Sequence, residues 1–115
     1  MTVTIYHNPR CSKSRATLEM LQDRGEEIDI VEYLQTPFTA DQLRDLLAKL
    51  GVGPGEVIRK GEAVYKELGL GEAGVSDDQL IEAMAANPIL VERPIVVNGR
   101  KAAIGRPIEN VIKIL

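Results

Sequence analysis

The stretch Val3-Thr4-Ile5-Tyr6-His7-Asn8-Pro9-Arg10-Cys11-Ser12-Lys13-Ser14-Arg15 decides how the rest of the chain is read. Its first four residues are rich in β-formers and read as a strand. His7-Asn8-Pro9 supplies a turn. Ser14 to Arg24 then reads as a helix, with Leu18 and Leu21 on one face and Gly25 as its stop. Ile28-Asp29-Ile30-Val31 is a second short strand. Strand, helix and strand in that order predict a parallel βαβ unit with a right-handed crossover.

Beyond this unit the pattern turns helical. Thr39 and Gln42 form a capping box. Leu43, Leu46, Leu47 and Leu50 follow at the spacing of an amphipathic helix. Gly51, Gly53, Pro54 and Gly55 break it, and a short helix is expected over about Ala63–Leu68. Ser76 and Gln79 repeat the capping pattern, with Leu80, Ala83 and Met84 on the apolar face. Asn87-Pro88 ends that segment. Asn98-Gly99 then divides two apolar runs, Ile95–Val97 and Ala102–Ile104, a strong hairpin signal in which both turn residues take positive φ. Pro107 suits the first turn of a closing helix that runs through Leu115. Together these make a thioredoxin-like α/β plan: a small, mixed, four-stranded sheet carrying a helical insertion at about 38–88.

The chain has 115 residues, 44% of them hydrophobic and 27% charged. That suits one globular domain over 1–115, with the insertion as a lobe too short for a large core of its own. A net charge of −3 argues against nucleic-acid or anionic-membrane binding, which needs a basic field. No apolar run approaches the roughly 20 residues of a membrane span. The opening residues lack the pattern of a signal peptide, so a cytoplasmic location is the expectation. The one cysteine, Cys11, can close no internal disulfide and build no multi-cysteine zinc site, so no metal is expected.

Cys11 lies between a strand and the start of a helix. Unpaired N–H groups and the positive end of the macrodipole favour a thiolate there, and the same geometry holds anions. Arg10, Lys13, Arg15 and the single histidine, His7, are four potential cations within four residues of it. A free cysteine is often only a small buried hydrophobe, but this neighbourhood favours a reactive one. A thiolate and an anion pocket in one loop suggest attack on an oxyanion. Cys-x5-Arg, the cysteine phosphatase spacing, is absent, since Thr17 stands where the arginine would be. Cys-x-x-Cys is absent too, since Ser14 takes the second position, so any resolving thiol comes from another molecule. A lone arginine is usually a solvated surface charge. Arg93 and Arg106 depart from that pattern, each preceding a proline at an element boundary.

The loop His7-Asn8-Pro9-x-Cys11-x-x-Ser14-Arg15 resembles the active-site loop of the ArsC-type, glutaredoxin-coupled arsenate reductases. The resemblance continues through Ile58-Arg59-Lys60, Ser76-Asp77-Asp78-Gln79-Leu80-Ile81, Asn87-Pro88-Ile89-Leu90, Arg93-Pro94-Ile95-Val96 and Gly105-Arg106-Pro107. It implies that Cys11 is the nucleophile that takes arsenate and that Arg59, Arg93 and Arg106 hold the oxyanion. It implies a cis Arg93–Pro94 bond facing the cysteine, with His7 and Ser14 favouring the thiolate by charge or hydrogen bonding. Arg15 is either a further supporting group or an i,i+4 partner of Glu19. Glutathione is the implied co-substrate and glutaredoxin the implied partner, with no bound cofactor. Two other roles fit the same resemblance: a general glutathione-dependent thiol reductase, and an Spx-type regulator of RNA polymerase, whose usual Cys-x-x-Cys switch Ser14 removes.

Overall fold

The computed structural model describes residues 2–115. The chain divides into two compact units. One holds the residues through Thr36 together with Arg93–Leu115, and the other is Pro37–Glu92.

In the first unit, β1 (Thr2–Tyr6), α1 (Ser12–Asp23) and β2 (Glu27–Val31) form the expected parallel βαβ motif, with Val3 opposite Ile28 and Ile5 opposite Ile30. β3 (Ile95–Asn98) and β4 (Lys101–Ile104) form the hairpin, and β3 pairs antiparallel with β1. The sheet order β2-β1-β3-β4 is the mixed, four-stranded, thioredoxin-like arrangement. β1 is central, and its inward residues Val3 and Ile5 are buried with Leu21, Val96, Ala103 and Val111 in one core cluster. Period-2 alternation in β1 and the helical spacing of α1 therefore meet on one face of the sheet.

Local chemistry explains where these elements begin and end. α1 starts two residues earlier than the sequence suggests, and Cys11 is its N-cap, in an extended conformation. Ser12 and Lys13 carry no apolar periodicity, so the pattern could not mark the first turn. At the other end, Gly25 N–H bonds to Gln22 and Glu26 N–H to Leu21, a Schellman closure. The hairpin turn also departs from expectation. Asn98 pairs with Lys101, so the turn residues are Gly99 and Arg100, and only Gly99 has positive φ. That is the requirement of a type II′ turn, with Gly first, rather than type I′. Asn98 stays in the strand, and its side-chain amide donates to Ile114 O at 2.8 Å. The closing helix α5 is only Glu109–Ile112. Pro107 and Ile108 precede it in i→i+3 turns, and Ile114 and Leu115 follow in the same kind of turn, so both ends tighten into 3₁₀ geometry.

In the second unit, α2 (Ala40–Leu50) buries Leu43, Leu46 and Leu47 under a complete Thr39/Gln42 capping box. A short α3 (Ala63–Glu67) follows, and α4 (Asp77–Ala86) has its own complete box from Ser76 and Gln79. The buried residues of α4 are Ile81 and Met84, while Leu80 and Ala83 are half-buried. The apolar face is thus rotated by one residue from the expected one, because this helix is apolar over much of its circumference. α2 packs on α4, and Arg44 reaches from α2 to Asp78 and Glu82.

Two cis peptide bonds flank the hairpin, Arg93–Pro94, as the resemblance implies, and Arg106–Pro107, which the sequence reading did not anticipate. Between them Gly105 N–H donates to Pro94 O at 2.9 Å. A Cβ at Gly105 would lie 2.8 Å from both Pro94 Cγ and Thr17 Oγ1. Gly105→Ala gains about 0.4–1 kcal/mol through the unfolded chain. It loses about 1–3 kcal/mol to overpacking, which is the larger effect. Urea unfolding is expected to give a lower midpoint for the variant; an equal or higher midpoint would show that this contact does not constrain the hairpin.

Candidate active site

The site is built on the end of β1. His7 N–H donates to Val31 O at 2.8 Å, extending the ladder one step past the strand. Asn8 then turns the chain, its Oδ1 accepting from Arg10 N–H at 3.0 Å, the Asx turn that Asn favours. Ser14 Oγ sits beneath the loop, 2.6 Å from His7 Nδ1 and accepting from Asn8 N–H at 3.1 Å. Ser14 is fully buried, and His7 and Asn8 nearly so. Cys11 N–H closes the loop on Asn8 O at 3.0 Å, and Cys11 O accepts the first helical bond from Arg15 N–H. Arg15 turns back on the loop, donating from Nη1 to Pro9 O at 2.9 Å.

This places a half-buried Cys11 where an N-cap side chain belongs. A capping side chain meets the amides of the second and third helical residues, here Lys13 and Ser14. Neither makes a strict capping hydrogen bond to the sulfur, yet both amides face it and favour its charged form. Arg106 Nη2 lies 3.3 Å from Cys11 Sγ, and its Nε donates to Arg93 O at 2.7 Å. The Arg93 side chain also hydrogen-bonds the sulfur, and its Nε and Nη1 are buried. Burial opposes the thiolate. The Ser14 amide, the Arg93 guanidinium, the Lys13 amide and the Arg106 charge together outweigh it, and the thiol's pKa falls below its ordinary value.

The structure redistributes the roles expected of the nearby cations. The guanidinium groups at the sulfur are those of Arg93 and Arg106, the latter 95 residues along the chain. Lys13 contributes through its backbone amide. The Arg10 side chain is exposed. His7 does not supply charge: burial lowers its pKa, and Glu32, which raises it, does not compensate. It is a neutral ring at neutral pH, and its service is the contact with Ser14. A helix start fans adjacent side chains outward, so nearness in sequence did not become nearness to the sulfur. Pro94, cis and packed on Gly105, sits between Arg93 and β3 and fixes where that arginine starts.

Arg59 belongs to the other unit. Its N–H donates to Leu90 O at 2.7 Å, beside the bridge between Ile58 and Val91. Its guanidinium is held by Glu62 at 3.1 Å and Glu92 at 2.8 Å. Burial disfavours its charge, and the two carboxylates more than restore it. Glu62 lies three residues on along a turn, and Glu92 is brought there by the β-bridge between Ile58 and Val91. Among the described residues no group of His, Cys, Asp and Glu is arranged to hold a metal ion. No helix of the described residues is long and apolar enough to cross a membrane.

The model of the ArsC family matches residues 6–114. The Escherichia coli protein named "Uncharacterized protein YfgD" is 54% identical over 98% of this chain and 96% of its own length. An arsenate reductase of Neisseria meningitidis is 46% identical over 98% of this chain and 97% of its own. The solved structure of an arsenate reductase from Vibrio cholerae superposes with a TM-score of 0.97 at 46% identity, covering 100% of this chain and 98% of that one.

A depressed thiol pKa makes alkylation measurable at lower pH. The rate of Cys11 alkylation by iodoacetamide is expected to rise with a midpoint below the free-thiol value of about 8.5. Arg106→Gln is expected to move that midpoint upward. Because the folded pKa is the lower one, the linked stability is complete above the unfolded thiol's pKa and is lost as pH falls through the folded one. A wild-type midpoint at the free-thiol value would refute the thiolate.

Proposed function

The chain belongs to the ArsC family, and on that premise we propose that it is an arsenate reductase working through Cys11, with glutathione and glutaredoxin as the source of electrons. The observation that carries the reading is Arg106 Nη2 at 3.3 Å from Cys11 Sγ, with the Arg93 guanidinium on the same sulfur. A guanidinium is always charged and offers planar paired donors, which suit a tetrahedral oxyanion as well as a thiolate. The relatives named arsenate reductase support the same substrate.

The reaction runs in three steps. Arsenate binds against Arg93 and Arg106. The Cys11 thiolate attacks arsenic, a sulfur–arsenic bond forms, and one arsenate hydroxyl takes a proton from solvent and leaves as water. A glutathione thiolate then attacks the adduct. A sulfur–sulfur bond forms between Cys11 and glutathione, and the electron pair of the broken sulfur–arsenic bond stays on arsenic, which leaves trivalent. Glutaredoxin reduces the mixed disulfide and restores the thiolate. Phosphate fits the same donors but is not reduced, so selectivity is chemical. The donor assignment rests on arithmetic: two electrons are needed, the chain has one thiol, and a disulfide needs a second sulfur.

Arg59 has a smaller part in this proposal. Two carboxylates already neutralise its guanidinium, so an anion must displace them before it can bind there.

The test is arsenate turnover coupled to glutathione and glutaredoxin. Cys11→Ser is expected to abolish it. Arg93→Lys and Arg106→Lys are each expected to lower kcat/KM by about 10- to 100-fold, the worth of one charge-assisted hydrogen bond of about 1.5–3 kcal/mol. Arg59→Ala is expected to cost less than either, with circular dichroism as the folding control. Reduction of mixed disulfides without arsenate turnover would replace this reading with a general thiol reductase.

A further inference from the structure

The loop that carries Cys11 has two sides, and Arg93 and Arg106 occupy only one. Tyr6, the last residue of β1, pairs with Ile95 on one side and Val31 on the other. The chain just before Ile95 is Arg93-Pro94, at the thiolate. The chain just after Val31 is Glu32-Tyr33-Leu34-Gln35. Between that segment and the loop from His7 to Arg10 lies an open recess of about 270 Å³. Neither the thiolate nor the arginines need it.

Its walls are chemically mixed. Glu32 contributes a carboxylate, Arg10 a guanidinium and Gln35 an amide, while Leu34 and Pro9 add exposed apolar surface. A simple oxyanion gains little here, because Glu32 opposes it. A small zwitterionic peptide fits all three polar groups: its ammonium toward Glu32, a carboxylate toward Arg10 and its amides toward Gln35. The recess is at the small end of ligand clefts, which run from about 300 Å³ upward, so it suits a ligand held along one side. A three-residue peptide spans at most about 10 Å, and Arg10 and Cys11 have Cα atoms about 3.8 Å apart. Arg10, in the wall of the recess, immediately precedes Cys11, so a peptide seated there lies against the loop that carries the cysteine.

We propose that this recess, on the β2 side of the loop, seats the peptide thiol glutathione, so that oxyanion and reductant approach Cys11 from opposite sides. The proposal rests on the reading of Cys11 as a nucleophile resolved by an outside thiol. Arg93 and Arg106 on the β3 side hold the oxygens, and the incoming sulfur enters from the side of Arg10 and Glu32.

The test uses disulfide exchange, which needs no arsenic. The Cys11 thiolate attacks one sulfur of glutathione disulfide; a bond forms between Cys11 and that glutathione, the disulfide bond breaks, and the other glutathione leaves as thiolate. Adduct formation is followed by intact mass spectrometry with glutathione disulfide and, in parallel, with the uncharged bis(2-hydroxyethyl) disulfide. Glu32→Gln is expected to slow the glutathione reaction about threefold, the worth of an exposed ion pair. Glu32→Lys should slow it further, and Gln35→Ala should slow it modestly. The uncharged disulfide should react with all variants at the wild-type rate. Glu32 favours the charged form of His7, so removing it leaves that ring neutral, as it already is. In arsenate turnover the KM for glutathione should rise while that for arsenate stays fixed. Wild-type rates with glutathione disulfide in both Glu32 variants would overturn the proposal, as would equal slowing with both disulfides. Discrimination between the disulfides in a protein that turns over no arsenate would keep the recess and remove the arsenate reading.

Discussion

A thiolate is costly in a half-buried position unless donors face it, and the fold meets that cost at Cys11 with two backbone amides and two guanidinium groups. The rest of the first unit serves that arrangement. β1 delivers the loop to the centre of the sheet edge, and His7 N–H carries the ladder one residue past the strand. Ser14 then ties the loop together. Its hydroxyl, buried under the loop, joins His7 and Asn8, so the turn that presents the sulfur is held from inside. The hairpin brings the guanidinium groups from the far end of the chain. Arg106 is aimed by the Arg93 carbonyl, and both are set by the close packing of Gly105 on Pro94.

On the proposed reading, the arrangement gives the reaction a direction. The guanidinium groups of Arg93 and Arg106 come from the β3 side of the central strand, and the mixed-charge recess opens on the β2 side. Parallel pairing on one flank of β1 and antiparallel pairing on the other put two unlike chain segments beside one loop. A mixed sheet can do this, because β2 runs toward the loop and ends there while β3 begins there. On the proposed reading, the same topology suits an active site with one cysteine, because the second sulfur has a side from which to arrive.

What could be read from the sequence was local. Both capping boxes form as expected, since each is closed within four residues. The βαβ motif and the hairpin follow from periodicity and turn residues. Errors arose where partners lie far apart or where one residue shifts a frame. The Asn98-Gly99 turn slipped by one position, because the strand register keeps Asn98 paired with Lys101. Arg10, Lys13, Arg15 and His7 look like a cationic nest when written in a row, yet the guanidinium groups at the sulfur come from positions 93 and 106. Composition cannot show that burial leaves His7 neutral. Arg59 stood out only through the family resemblance, and the Glu92 half of its clamp depends on a bridge between residues 33 apart.

The central claim is that Cys11 passes through a covalent state whose second sulfur comes from outside the chain. Intact mass spectrometry on enzyme quenched during arsenate turnover, in limiting glutaredoxin, observes that state directly. The account predicts one glutathione adduct per chain, located on Cys11 by peptide mapping and accumulating only when arsenate and glutathione are both present. Arsenite formation with no adduct on Cys11, or turnover sustained by thioredoxin without glutathione, would contradict it.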